Sequence, residues 1–392
     1  MGRLLVSLKY VDERTVEKFR KLAEKTGKQS FALAWIMDER SEERDRGVTI
    51  DIATNHFETE STKFTILDAP GHRDFVPNMI AGASQADFAI VVLDANTGAY
   101  EKGLKGQTRE HVLLLRSLGV QRLVIAVNKL DMVAWSQERF DEICQQTEGF
   151  LTSIGFQSKF FSFIPISGLN GDNIAESIQD AAASWYTGPT LLDSLESGVP
   201  ATERNLKKSF RMAISEVFRS LQGTTTLGGR IDSGSIQLGD VLFVQPSGET
   251  AYIKSIMVDK ENQDWAVAGQ NVTLALTDVD PIHIRAGDIL CHTTDPIASG
   301  DSFTMKALAF EHLMPMPVDV HRGRLHAPGQ LMSISGILDR STGEMLKKKP
   351  KIVQPGAVAR VSIKLRNKVP LEAGQRVVIR SGGETIAAGL VE

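Results

Sequence analysis

The sequence predicts a parallel, helix-covered α/β sheet in its first half and antiparallel β barrels in its second. Two near-continuous apolar runs, Phe88 to Asp94 and Leu123 to Val127, alternate with amphipathic stretches. Runs of that kind mark strands buried on both faces of a parallel sheet. Near residue 197 the pattern changes to short alternating runs separated by Gly, Pro and Asp turns, with no long helical period after it. A length of 392 residues suits two to three domains.

Taken in order, residues 1–47 are charged and helix-like, with Val16, Phe19, Leu22 and Ala23 on one face. The mixed-sign run Asp38 to Arg46 reads as a solvated helix or loop. Val48 to Ile52, Asn55 to Thr59 and Phe64 to Leu67 alternate as strands do. Thr108 to Leu118 is an amphipathic helix that stops at Gly119. Phe140 to Leu151 reads as a helix and Phe161 to Ile166 as a strand. Residues 197–205 are linker-like. Beyond them, Phe210 to Ile214, Val241 to Val244 and Val272 to Leu276 read as barrel strands. A break at Asp295 to Gly300 divides two barrels, giving domains of 1–196, 200–297 and 301–392. Leu346 to Lys351 is a basic cluster that reads as a solvated hairpin tip, with contact to RNA as the alternative.

Composition narrows the function classes. Hydrophobic content of 42% and charged content of 23% are those of a soluble globular protein. No apolar run reaches about 18 residues, so no membrane span is expected. The N-terminus is too charged for a secretory signal. Cys144 and Cys291 belong to no metal-ligand or redox pattern and read as reduced thiols of a cytosolic protein. A net charge of -4 argues against charge-driven, non-specific nucleic-acid binding. His283, His292, His312, His321 and His326 show no ligand spacing and read as structural.

The chemistry is concentrated at predicted strand ends. Asp68-Ala69-Pro70-Gly71-His72 follows the strand 64–67. Open α/β sheets bind ligands at that edge. There Asp68 can hold Mg²⁺ and the Gly71 N–H can meet a phosphate oxygen. The same residues also suit an ordinary acidic turn. His72 can orient an attacking water, because imidazole titrates near neutrality. The Thr49 hydroxyl can complete a Mg²⁺ shell beside a γ-phosphate. Asn128-Lys129-Leu130-Asp131 follows the strand 123–127. The Asp131 carboxylate can accept two parallel hydrogen bonds from guanine, which adenine does not offer. Asn128 can read the base or brace a neighbouring loop, and the Lys129 stem can pack along the base. Ser167-Gly168-Leu169 follows the last strand, where small residues let backbone N–H groups approach the base oxygen.

The order of these four elements resembles the GTP-binding domain of translational GTPases. That domain followed by two β barrels is the layout of elongation factor 1-alpha and its relatives. The segments Phe31–Asp38, Glu43–Thr49 and Pro70–Ile80 look like the ribosome-rescue GTPase that partners Pelota. Gly103 to His111 is similar to release factor 3 and elongation factor 1-alpha, and Trp185 to Leu191 is widely shared. The resemblance implies a cytoplasmic, monomeric GTP hydrolase using GTP/GDP and Mg²⁺, with ribosomes and a Pelota-like, tRNA-mimicking protein as partners and no membrane. Site residues carried over are His72 for catalysis; Asp68, Gly71, Asn128, Lys129, Asp131, Ser167, Gly168 and Leu169 for nucleotide; and Thr49 and Asp68 for metal. The competing readings are a release factor 3-like GTPase, a nucleotide-free binding module, and the GTPase subunit of sulfate adenylyltransferase.

One departure from the family pattern is plain. No Gly-Lys-Ser or Gly-Lys-Thr of a phosphate loop occurs in the sequence, and Met1 to Leu5 is similar to the stretch that follows that loop. The resemblance implies an α/β domain lacking that loop and its first strand, with neighbouring strands left unpaired. The chain is then expected to bind GTP more weakly than an intact relative, which titration with a fluorescent guanine nucleotide measures.

Overall fold

The computed structural model describes residues 1–25, 32–37, 41–46, 49–197, 204–219 and 224–392. Two compact units divide the chain, Met1–Thr202 and Glu203–Glu392.

The first unit holds helices α1 (Gly2–Ser7), α2 (Glu13–Lys25), α3 (Ser41–Arg46), α4 (Val76–Ala83), α5 (Ala99–Lys105), α6 (Gln107–Leu118), α7 (Gln137–Ser153) and α8 (Leu191–Ser197). Its strands are β1 (Ala53–Glu58), β2 (Lys63–Asp68), β3 (Phe88–Asp94), β4 (Arg122–Asn128) and β5 (Phe161–Pro165). β3, β4 and β5 form a parallel sheet with β4 in the centre. Leu123 to Val127 are fully buried there, as a helix-covered strand requires. β1 and β2 form a separate antiparallel hairpin, with Ala53 opposite Asp68. Leu4 and Leu5 of α1 share a core with Phe57 and Phe64 of that hairpin and with Val124, Ala126 and Ile164 of the sheet. α6 ends at Gly119, whose φ of 94° is a left-handed cap that favours glycine.

In the first unit four expectations change. Phe88 to Asp94 is a strand, but it is not buried on both faces: β3 is the sheet's edge and Val92 is 55% exposed. An apolar run reports hydrophobicity, whereas burial depends on which strands pair. Of Val48 to Ile52, Val48 lies outside the described residues, and Thr49 to Ile52 form no strand. Glu43 Oε1 accepts hydrogen bonds from the N–H groups of Ile50 (2.9 Å) and Asp51 (3.2 Å). A side chain thus takes donors that a ladder would use. In the mixed-sign run, residues 38–40 lie outside the described residues, while Glu43 on α3 is buried rather than solvated. Leu22 is 42% exposed, although Ala23 and Phe19 of the same helix pack with Ala32 and Trp35.

The second unit is all β. Its strands are β6 (Arg211–Arg219), β7 (Thr225–Ser233), β8 (Ser235–Gln237), β9 (Val241–Gln245), β10 (Glu249–Val258), β11 (Glu261–Gln263), β12 (Trp265–Val267), β13 (Asn271–Thr277) and β14 (Ile289–His292). Then come β15 (Ser299–Ala309), β16 (Met316–Arg322), β17 (Leu325–Leu338), β18 (Met345–Lys348), β19 (Val358–Pro370), β20 (Arg376–Ser381) and β21 (Glu384–Val391). The order β10-β13-β7-β6-β14-β9 closes through a β10–β9 pairing. The order β16-β20-β21-β15-β19-β17 closes through β16–β17. Each is therefore a closed antiparallel barrel with alternating inward apolar residues, as in β13, where Val272, Leu274 and Leu276 are buried. The basic cluster is not a hairpin tip. It lies on and just after β18, and the tip is the turn at 339–343, where Asp339 Oδ1 accepts from the Ser341 and Thr342 N–H groups.

Candidate nucleotide site

The parallel register sets Asp94 opposite Asn128 at the carboxyl ends of β3 and β4. Lys129 follows with φ 66°, and its ammonium reaches Asp94 Oδ2 at 2.7 Å. Asp94 also accepts from the Asn96 N–H at 3.0 Å, and these contacts hold its carboxyl below the ordinary range despite burial. Asp131 sits in the short 3-10 helix Leu130–Val133.

The Asn128 side chain joins two strand ends. Its Oδ1 accepts from the Lys129 N–H at 2.8 Å and from the Gly168 N–H at 2.7 Å, 40 residues along the chain. A Cβ at position 168 would lie 3.1 Å from that oxygen, so the close approach favours glycine. Ser167 is fully buried, and its Oγ accepts from the Asn170 N–H at 3.3 Å. Leu169 is exposed, and its carbonyl accepts from the Arg3 guanidinium of α1. Asn128→Ala is expected to cost about 1–3 kcal/mol, because it leaves the Gly168 N–H unpaired. Urea unfolding checks this: Asn128→Asp, which keeps the acceptor, should recover most of the loss.

Asp68, Gly71, His72 and Thr49 stand on and beside the β1–β2 hairpin. Asp68 ends β2, and burial with the neighbouring Glu43 raises its carboxyl's pKa, while the Met1 α-ammonium opposes that shift. Gly71 is exposed, and a Cβ there would touch nothing within 4 Å. His72 caps a short 3-10 helix, and its Nδ1 accepts from the Asp74 N–H at 3.3 Å. Thr49 is half-buried and directly precedes the Ile50–Asp51 backbone that Glu43 holds.

The structure thus gathers Asn128, Lys129 and the Ser167–Leu169 turn at one edge of the three-stranded sheet, with Asp131 just beyond. Asp68 ends the second strand of the hairpin, and Thr49, Gly71 and His72 stand beside it. Sequence reasoning missed Glu43 and Arg3. Glu43 lay in a charge run whose average was misleading; Arg3 acts across 166 residues, with no local signal. No group of three or more His, Cys, Asp or Glu forms a metal cluster among the described residues. The donors present still suit Mg²⁺, which is held through one or two carboxylates together with substrate phosphates and water. Asp68 is a half-buried carboxylate beside a second acid, an environment that a cation relieves.

A parallel sheet presenting Asp94, Asn128 and the Ser167 turn at its carboxyl edge, followed by two closed barrels, defines a nucleotide-binding α/β domain with a β-barrel tandem. The chain belongs to the elongation factor Tu and 1-alpha family of GTP-binding translation factors. Residues 1–201 match the elongation factor Tu GTP-binding domain, 224–291 its domain 2 and 320–392 its C-terminal domain. Over 404 residues the chain is 38% identical to Protein HBS1 of Drosophila melanogaster, aligning all of this chain and 60% of that protein. It is 35% identical over 407 residues to elongation factor 1-alpha of Ignicoccus hospitalis, aligning all of this chain and 91% of that protein. The chain therefore spans about three fifths of the length of the Drosophila protein. The Ski7 GTPase-like domain of S. cerevisiae, bound to GDP and inorganic phosphate, superposes with a TM-score of 0.80 at 20% identity, covering all of this chain and 93% of that one; this shows a shared fold. No helix among the described residues is long and apolar enough to cross a membrane.

Proposed function

We propose that this protein is a cytoplasmic, monomeric GTP hydrolase of ribosome rescue. It delivers a Pelota-like, tRNA-shaped protein to stalled ribosomes and releases it on hydrolysis. The observation that carries the nucleotide reading is the 2.7 Å bond from the Gly168 N–H to Asn128 Oδ1, which draws two strand ends into one base-facing edge. The likeness to Protein HBS1 along the whole chain supports the rescue role.

In this reading Asp131 selects guanine by accepting from its N1–H and amine, and Lys129 lies along the base. Ser167, Gly168 and Leu169 form the turn beside the base oxygen. Asp68 and Thr49 would hold Mg²⁺, whose chemistry is to offset charge on the transferred phosphoryl group. The Gly71 N–H faces the same phosphate. His72, with Nδ1 engaged by Asp74, has Nε2 for the attacking water. The loops around Thr49 and after Asp68 are ordered by phosphate and released on hydrolysis. The GTP-binding domain comprises residues 1–196, and barrels at 200–297 and 301–392 carry the partner.

The test combines nucleotide titration with ribosome co-sedimentation. Asp131→Asn should weaken guanine nucleotide binding by at least roughly a hundredfold and admit xanthine nucleotides, whose C2 carbonyl accepts from an amide. Equal binding of guanine and adenine nucleotides by the wild-type chain would sink the nucleotide assignment. GTP-dependent sedimentation of the chain and a Pelota-like protein with stalled ribosomes is the expected second result. Association with a release factor in its place would redirect the reading to termination.

A further inference from the structure

The closed barrel made by β15–β17 and β19–β21 has one appended strand. Among the described residues β18 pairs with β17 alone, at Lys348–Gly336, Lys347–Ile337 and Met345–Leu338, and its outer edge is open. Barrel closure removes sheet edges, which makes an open strand here a feature needing a reason. All four residues of β18 are exposed, with Leu346 at 67% and Met345 at 41%. Lys349 and Lys351 continue the run, and Pro350 between them has no N–H to donate. Ile352 is also exposed, and the Leu313–Val353 bridge sets it beside exposed Met314. β11, the strand appended to the other barrel, reads Glu261-Asn262-Gln263 and carries no apolar residue.

We propose that β18 is a docking edge for an extended, acidic segment of a partner protein, which adds to the sheet as a further strand. Main-chain hydrogen bonds to the open edge would supply affinity, and alternate side chains would supply selection. Lys347, Lys348, Lys349 and Lys351 complement carboxylates, and they repel the same edge of a second copy. Exposed Met345, Leu346 and Ile352 give apolar surface that a peptide covers and a phosphate backbone does not. Glu344 is the one acid between residues 344 and 352, so the edge is positive along its length.

The test uses the full chain and two labelled probes: a short peptide alternating aspartate and valine, and a single-stranded RNA homopolymer. The peptide should bind and slow amide exchange along β18. Lys347→Glu combined with Lys348→Glu should weaken it about tenfold or more at low salt. Leu346→Ser, which leaves the charge intact, should also weaken it. These side chains are exposed, so both variants should keep the wild-type unfolding midpoint. A peptide of the same length and charge in which prolines replace valines should fail to bind. Four results would overturn the proposal: tight RNA binding without peptide binding, equal binding of the proline-interrupted peptide, indifference to the lysine reversals, or a concentration-dependent homodimer through this edge.

Discussion

Replacing Arg211 with alanine is expected to destabilise the two-barrel unit by about 3 kcal/mol or more, read as a lowered urea midpoint. Arg211 is buried on β6 of the first barrel. Its Nη2 and Nε meet Glu372 Oε1 of the second barrel at 2.6 and 2.9 Å. Its Nη1 donates to the carbonyls of Phe210 and Asp295, both at 2.9 Å. One guanidinium therefore closes four contacts, and alanine leaves a carboxylate and two carbonyls without it. Glu372 is 36% exposed, so water recovers part of its loss and keeps the effect at the lower end of the range for buried pairs. Arg211→Met together with Glu372→Met should recover much of the stability, because removing both charges leaves nothing unpaired. A single variant as stable as wild type would show that the pair does not couple the barrels.

The second large effect is on the pH dependence of stability. His321 on β16 is buried and stacks on His326 with ring centroids 4.7 Å apart. Burial, with His326 and Arg380 nearby, lowers its pKa from 6.5 to about 4. The folded state then binds fewer protons than the unfolded state between those values. His321 therefore contributes stability that is complete above pH 6.5 and lost as pH falls toward 4, of order 3 kcal/mol. Asp288 has the opposite sign. Burial raises its pKa from 3.8 to about 6, although its carboxylate accepts from the Arg285 N–H at 2.8 Å. Its contribution is complete below pH 3.8 and lost as pH rises through 6. The two windows overlap, so the contributions largely cancel between pH 4 and 6. Subtracting the stability curve of His321→Leu from that of wild type should give a difference that rises with pH across this window. The same subtraction for Asp288→Asn should give one that falls. Parallel curves would mean that neither group titrates as its surroundings require.

Much of the fold was legible because its signals are local. The helix ending at Gly119, the fully buried run Leu123 to Val127 and the alternation in Val272 to Leu276 each follow from a period and a punctuating residue. The positions of Asp68, Asn128 and Ser167 just at or after strand ends were legible for the same reason. What escaped depends on residues far apart in sequence. Glu43 reads as one acid in a charged run until its carboxylate meets two backbone N–H groups. β3 reads as a central strand until its neighbours are known, and Lys347 reads as a solvated charge until β18 proves to lie outside a closed ring.

The sequence by itself determined that the first half is α/β and the second all β, several of the strands and helices in each, and which residue types stand at the strand ends. Only the tertiary structure decided that Asn128 reaches Gly168, that Arg211 joins Glu372 across 161 residues, and that each barrel closes through a pairing between its own strands. The reason is the range of the forces. Periodicity follows from neighbouring residues, which share one backbone geometry. Partner choice is made by hydrogen bonds and buried charges between groups that folding alone brings together.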